Sequence, residues 1–226
     1  MIDNKTQKMQ LLMAIEISPY DYADAEYEYP TGSSSEFPDE WNDFWIRCLS
    51  DRNLGGLCAI SKGSYLVDIE TIKDAELEEI VRNELKEIEL NDFEEQVHRM
   101  SGGIVVKENG VSCIEPMCCG DLGNMNEWLA IFEAQPNEWT QLWIGHPWLY
   151  YKRENDMVAF SDYTDSTPSD FSGLEVHFQF AEEEFKQELQ KIAGQLKRFE
   201  LRIRAILDKM GILNAERIAK LMTGNA

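Results

Sequence analysis

No stretch of this 226-residue chain approaches the roughly 18 consecutive apolar side chains that a membrane-spanning helix needs. The apolar run from Leu11 to Ile17 is short, is broken by Glu16 and has no basic flank or small-residue cleavage site, so it is not expected to act as a signal peptide. Also missing are a GxxxxGK(S/T) phosphate loop, a GxGxxG turn after a strand, an HExxH helix and a GxSxG elbow, which removes the commonest nucleotide, metallohydrolase and serine-hydrolase sites. The five cysteines are odd in number and form no pair of CxxC motifs. That excludes the usual structural zinc site and fits reduced thiols in a cytoplasm.

Positive charge is the other scarcity. Lys and Arg number 21 against 42 Asp and Glu, a formal net charge of -21. Such a field repels nucleic acid and anionic membrane, favours a basic protein partner and speeds encounter with it. It also confers solubility, with or without a partner.

What is present is an ordinary globular composition, 43% hydrophobic and 11% aromatic, in a chain long enough to bury a core without a disulfide or metal. Residues 9–18 read as a strand stopped by Pro19. Alternation over Ala25 to Tyr29 is compatible with a further strand, and TGSSSEFPDE is loop by composition. Asp39 is placed to cap a helix carrying Trp41, Phe44, Trp45 and Cys48. LCAISKGSYLVDIE reads as a hairpin turning at Lys62-Gly63, and DAELEEIVRNELKEI as an acidic helix with an apolar stripe of Leu77, Ile80, Val81, Leu85 and Ile88. Phe93, Val97 and Met100 mark another short helix. GGIVVKENGVSCIEP is the clearest hairpin, turning at Asn109-Gly110. A glycine-rich loop, CCGDLG, leads into a helix with Asn124 as its cap. Two strands, Leu142 to Lys152 and Met157 to Ser161, follow, then a loop and the strand LEVHFQF.

The last long element places Phe185, Leu189, Ile192, Leu196, Phe199, Ile203, Ile206 and Met210 on an unbroken heptad seam, with Gly211 to stop it and a short amphipathic helix beyond. From Lys186 to Lys220 there are nine basic and four acidic residues, +5 net, against -26 for the rest of the chain. The sequence thus predicts an α+β fold. A mostly antiparallel central sheet with flanking helices would form an acidic body over 1–184, followed by a basic helical segment, 185–226, packed on or extending from it.

Candidate chemistry is sparse. Cys119, in the loop before the Trp128 helix, with His146 downstream, is the combination from which a cysteine nucleophile and base would be built. Buried structural cysteine is the plainer account. Cys113, Cys118, Cys119 and His146 could supply soft ligands to zinc, yet adjacent cysteines rarely serve one tetrahedral site, and packing explains them better. Asp162, Asp165 and Asp170 lack the glycine and terminal glutamate of a calcium loop. No cofactor or metal is implied.

Binding is the better-supported class. Tyr22, Tyr27 and Tyr29 interleave with Asp24, Glu26 and Glu28, combining rigid contact area with negative charge. That is either a recognition surface or a strand with a solvated edge. Glu78 and Glu79 on the acidic helix, and Trp148 and Tyr150 in an aromatic hairpin, complete the candidate contact residues.

The order of features in the second half resembles the SUKH superfamily, named for yeast regulators of cell-wall synthesis. The segment LWIGHPWLYYKRENDMVAFSDYTD aligns Ile144-Gly145, Tyr150-Tyr151, Val158 and Asp162 with that family's hairpin, and Phe185 with Leu189 matches its terminal helix. The resemblance implies a cytoplasmic immunity-type inhibitor, monomeric or homodimeric, that occludes a basic toxin such as a nuclease. The alternatives are a cysteine-dependent enzyme using Cys119 and His146, and a scaffold that self-associates through the heptad helix.

Overall fold

A computed structural model of the chain describes residues 8–165, 171 and 173–225. In chain order the elements are β1 (Met9–Glu16), α1 (Pro38–Ser50), β2 (Leu66–Asp68), α2 (Asp74–Leu85), α3 (Phe93–Gln96), β3 (Gly102–Glu108), β4 (Val111–Ile114), α4 (Met125–Ala130), β5 (Thr140–Leu142), β6 (Leu149–Glu154), β7 (Met157–Phe160), β8 (Phe178–Ala181), α5 (Glu182–Lys209) and α6 (Ala215–Thr223). The class is α+β. Two antiparallel four-stranded sheets, ordered β2-β1-β3-β4 and β5-β6-β7-β8, stand where one central sheet was expected. Among the described residues no helix is long and apolar enough to cross a membrane.

The chain divides into two compact units. The first comprises the described residues of Met1–Met13 with Ser101–Gly194; the second comprises Ala14–Met100 with Gln195–Ala226. In the first unit β3 and β4 turn at Asn109 and Gly110, whose φ values of 53° and 86° are the paired left-handed geometry that a tight hairpin favours. Strands β5 to β8 form a meander, with Tyr151 opposite Phe160 and Val158 opposite Phe180. Its core is aromatic: the Trp128 ring stacks on Phe185 at 5.9 Å, and Phe160 lies 5.5 Å from the Phe185 ring.

Three sequence expectations fail in this unit. The strand expected from Leu142 to Lys152 is two strands, β5 and β6, because Gly145 takes φ +109° and bends the chain between them. LEVHFQF contributes only its end, as β8. Asn124 stands at the N-cap position of α4, as expected, but its side chain makes no cap there: its amide oxygen accepts the Asp121 N–H, and Asp121 caps the preceding turn by accepting the Gly123 N–H at 2.7 Å. Asp170 lies outside the described residues.

In the second unit β2 pairs with Ala14–Glu16 of β1. The expected hairpin around Lys62-Gly63 turns as anticipated, through the Ser64 N–H to Ser61 carbonyl bond, but only its second arm is a strand. Helix α1 starts at Pro38, which has no N–H to leave unsatisfied, so Asp39 sits in the first turn and pairs with Lys62 instead of capping. The Trp45 indole donates to the Ile17 carbonyl at 2.7 Å and ties α1 to the end of β1.

The seam of α5 is spent inside the protein: Phe185, Leu189, Ile192, Leu196, Phe199, Ile203 and Ile206 are all buried, and Met210 is half-buried. Most basic residues of the C-terminal helices α5 and α6 are paired with acids. In the second unit Arg198 pairs with Glu70, Arg202 with Asp74, Lys209 with Glu78 and Arg217 with Glu94. Arg204 and Lys220 both reach Glu216, and Lys197 reaches the buried Glu200. Exposed pairs of this kind are screened by solvent, so they set the distribution of charge more than the stability. Stability comes from the seam. Phe199→Ala is expected to cost about 3–5 kcal/mol in chemical denaturation. Leu201→Ala, half-exposed on the same helix, should stay within about 0.5 kcal/mol.

Candidate functional site

The Tyr/acid segment lies in the second unit and is not a strand. After a single 3-10 turn at Pro19–Asp21 the chain passes through bends and extended backbone as far as the loop before α1. Its anchor is Asp51, at the C-terminal end of α1. One carboxylate oxygen of Asp51 accepts the Asp24 N–H at 2.8 Å, and the other accepts the Tyr27 hydroxyl at 2.9 Å. Those two bonds, the backbone one first, hold the Asp51 carboxyl below the usual aspartate value. A backbone committed to side-chain acceptors in this way cannot also offer a strand edge. At the far end of the loop the Trp41 indole donates to the Gly32 carbonyl, and Glu36 accepts from Ser33.

The loop therefore stands off α1 and leaves two clefts that share Tyr29. One, of 450 Å³, is lined by Tyr20, Ala23, Ala25, Glu26, Tyr27, Tyr29, Phe44 and Cys48. The other, of 620 Å³, is lined by Glu28, Tyr29, Pro30, Thr31, Glu40, Asp43, Ile46 and Arg47. Tyr20, Tyr29 and Phe44 form a triangle of rings 5.4–6.3 Å apart. Tyr20 and Tyr29 are 55% and 64% exposed, unusually open for rings in mutual contact. Beside them the Arg47 guanidinium sits 5.8 Å from the Tyr27 ring centre, so the walls already accommodate a planar cation.

Charge is concentrated at the same place. Between Tyr20 and Glu40 there are seven acids and no Lys or Arg. Asp24 pairs with Arg52, and Asp39 with Lys62. Glu26, Glu28 and Glu40 are exposed and make no ion pair among the described residues.

Of the residues expected to contact a partner, the cleft gathers Glu26, Tyr27, Glu28 and Tyr29, with Asp24 alongside. Tyr22 is buried at 3% exposure, where burial and then the Glu84 charge push its hydroxyl pKa up, so it belongs to the core. Glu78 and Glu79 lie apart from the cleft lining, on α2, half-buried; Glu78 is occupied by Arg82 and Lys209, which hold its carboxyl below the ordinary value. Trp148 and Tyr150 belong to the first unit. Trp148 is half-buried and Tyr150 is a core side chain at 1% exposure. Sequence reasoning passed over Asp51, Trp41 and Arg47. Nothing in periodicity marks Asp51, whose role depends on a loop returning 27 residues away.

The residues of the enzymatic alternative also meet, in a different pairing. His146 forms a β-bridge with Cys118, not Cys119, its N–H donating to the Cys118 carbonyl at 3.0 Å. Its Nε2 lies 3.6 Å from Asp165 Oδ1, with both side chains well exposed. Among the described residues no group of three or more His, Cys, Asp or Glu is placed to hold a metal ion.

The lowered Asp51 carboxyl gives the loop a pH dependence of defined sign. Its contribution is present above the unfolded aspartate value, about 3.9, and is lost as pH falls through the lower folded value. The Asp24 amide is expected to be protected from hydrogen exchange at neutral pH and to keep that protection through about pH 3.9, losing it only as pH falls through the lower folded value. In Asp51→Ala the protection should be missing throughout.

Compared with known proteins, the chain matches no family model, no curated protein and no solved structure.

Proposed function

We propose that this chain is a non-catalytic, cytoplasmic binding protein whose partner is a basic protein, seated on the aromatic and acidic clefts between the Tyr20–Thr31 loop and α1. In its fuller form, drawn from the SUKH resemblance, the reading is an immunity-type inhibitor that occludes a basic toxin such as a nuclease. Carboxylates would take the place of nucleic-acid phosphates against the toxin's cationic cleft.

The observation that carries the proposal is the unequal fate of the acids. Those at Glu70, Asp74, Glu78 and Glu94 are matched by the basic C-terminal segment, whereas Glu26, Glu28 and Glu40 are left facing solvent around exposed rings. A cation between a tyrosine face and a carboxylate gains about 0.5–2 kcal/mol from the ring, more as it is desolvated, besides its charge-assisted hydrogen bond. The same arrangement favours rapid encounter, since uncompensated charge steers a partner of opposite sign.

The self-association alternative loses its surface, because the heptad seam is buried within this chain. The enzymatic alternative retains the Cys118–His146 bridge in its favour.

Titration with an arginine-rich peptide, and then with basic toxins, at low and physiological ionic strength tests the reading. Binding should weaken steeply with salt and shift the resonances of Ala25, Tyr29 and Glu40. Tyr29→Ala, and separately Glu26→Gln with Glu28→Gln, should each weaken it about ten-fold. Salt-independent association, or shifts spread evenly over all acidic helices, would overturn the proposal.

A further inference from the structure

Cysteine is among the most buried residue types, yet Cys118 and Cys119 are both exposed, side by side, with their sulfurs 3.4 Å apart. The loop that presents them is pinned on every side. Met117 donates to the Ile144 carbonyl, His146 to the Cys118 carbonyl, Gly120 to the Met117 carbonyl and Gly102 to the Gly120 carbonyl, all at 2.8–3.0 Å. Gly145 fits only because it lacks a side chain: a Cβ there would stand 2.4 Å from the Cys118 oxygen. Cys119 itself is held at φ +70°, a left-handed conformation that a residue with a Cβ keeps only when its surroundings impose it.

Residues facing each other across an antiparallel bridge have Cβ atoms about 4.5–5.5 Å apart on one face, so Cys118 and His146 leave the bridge on the same side. His146, across the bridge from Cys118, is the imidazole placed to accept the thiol proton as the sulfur attacks, and Asp165 Oδ1 lies 3.6 Å from its Nε2. The proposed docking cleft uses none of these groups.

We infer that Cys118 and Cys119 form a reversible modification site whose reactant is a low-molecular-weight disulfide. The Cys118 thiolate attacks one sulfur of the reactant. The S–S bond breaks, and the other half departs as a thiolate with the electron pair. Cys119 then gives up its proton, and its thiolate attacks the Cys118 sulfur of the mixed disulfide, releasing the second half. Two protein thiols become one disulfide, their two protons pass to the two departing thiolates, and the reactant is thereby reduced by two electrons to two thiols. Adjacent Cα atoms are 3.80 Å apart across a trans peptide, short of the roughly 4.4–6.8 Å that an unstrained disulfide spans, so the ring re-opens readily under a dithiol reductant.

The test treats the full chain with glutathione disulfide at neutral pH and follows intact and peptide masses. Expected is the loss of two hydrogens from the peptide carrying Cys118 and Cys119, reversed by dithiothreitol. The reaction should be faster than adduct formation at Cys58, which is exposed without a second thiol beside it. Cys119→Ser should stop at a stable glutathione adduct on Cys118, and His146→Ala should slow that first step by a factor on the order of ten while circular dichroism stays unchanged. Stable glutathione adducts on the wild-type pair without ring closure, or a rate no greater than that of Cys58, would overturn the inference.

Discussion

The acidic body is tolerable because the chain brings its own cations to it. Arg198, Arg202, Lys209 and Arg217 come from the last fifth of the sequence and meet acids that lie more than a hundred residues earlier. Individually these contacts are weak and solvent-screened. A chain of net charge -21 could have spread its field uniformly; here neutralisation is local to the acids that the C-terminal segment reaches, and Glu26, Glu28 and Glu40 of the loop ahead of α1 and of its first turn are among those left uncompensated.

That loop owes its shape to one carboxylate. Asp51 receives the Asp24 amide and the Tyr27 hydroxyl, which prevents the segment from pairing as a strand and holds it open against α1. The rings exposed there lie on a defined backbone, so a partner would lose little loop entropy in meeting them. Affinity from pre-organisation and encounter rate from uncompensated charge would then come from one stretch of about twenty residues.

Much of the fold was legible because it is local. The Asn109-Gly110 turn, the apolar stripe of α2 and the seven-residue spacing of α5 each declare themselves within one element, and all three appear where expected. The failures share a cause. Gly145 breaks a stretch that reads as one continuous strand, and the constraint on it is the carbonyl of Cys118, distant in sequence. The site shows the same division. Composition drew attention to the Tyr/acid segment, but tyrosine looks alike whether it ends, like Tyr22, in the core or, like Tyr29, in solvent. Which cysteine faces His146 is likewise a matter of register, which composition does not carry.

The division of the chain has a bearing on its biogenesis. Each unit is assembled from two separated stretches, and the backbone passes from one to the other three times, inside β1, at Met100–Ser101 and inside α5. During vectorial synthesis the first unit has all its strands before Gln195–Ala226 emerges, whereas Asp74 and Glu78 of α2 must wait for Arg202 and Lys209 of α5. A chain that had emerged only as far as Gly194 would have one unit complete, with Glu70, Asp74, Glu78 and Glu94 of the other still without their C-terminal partners.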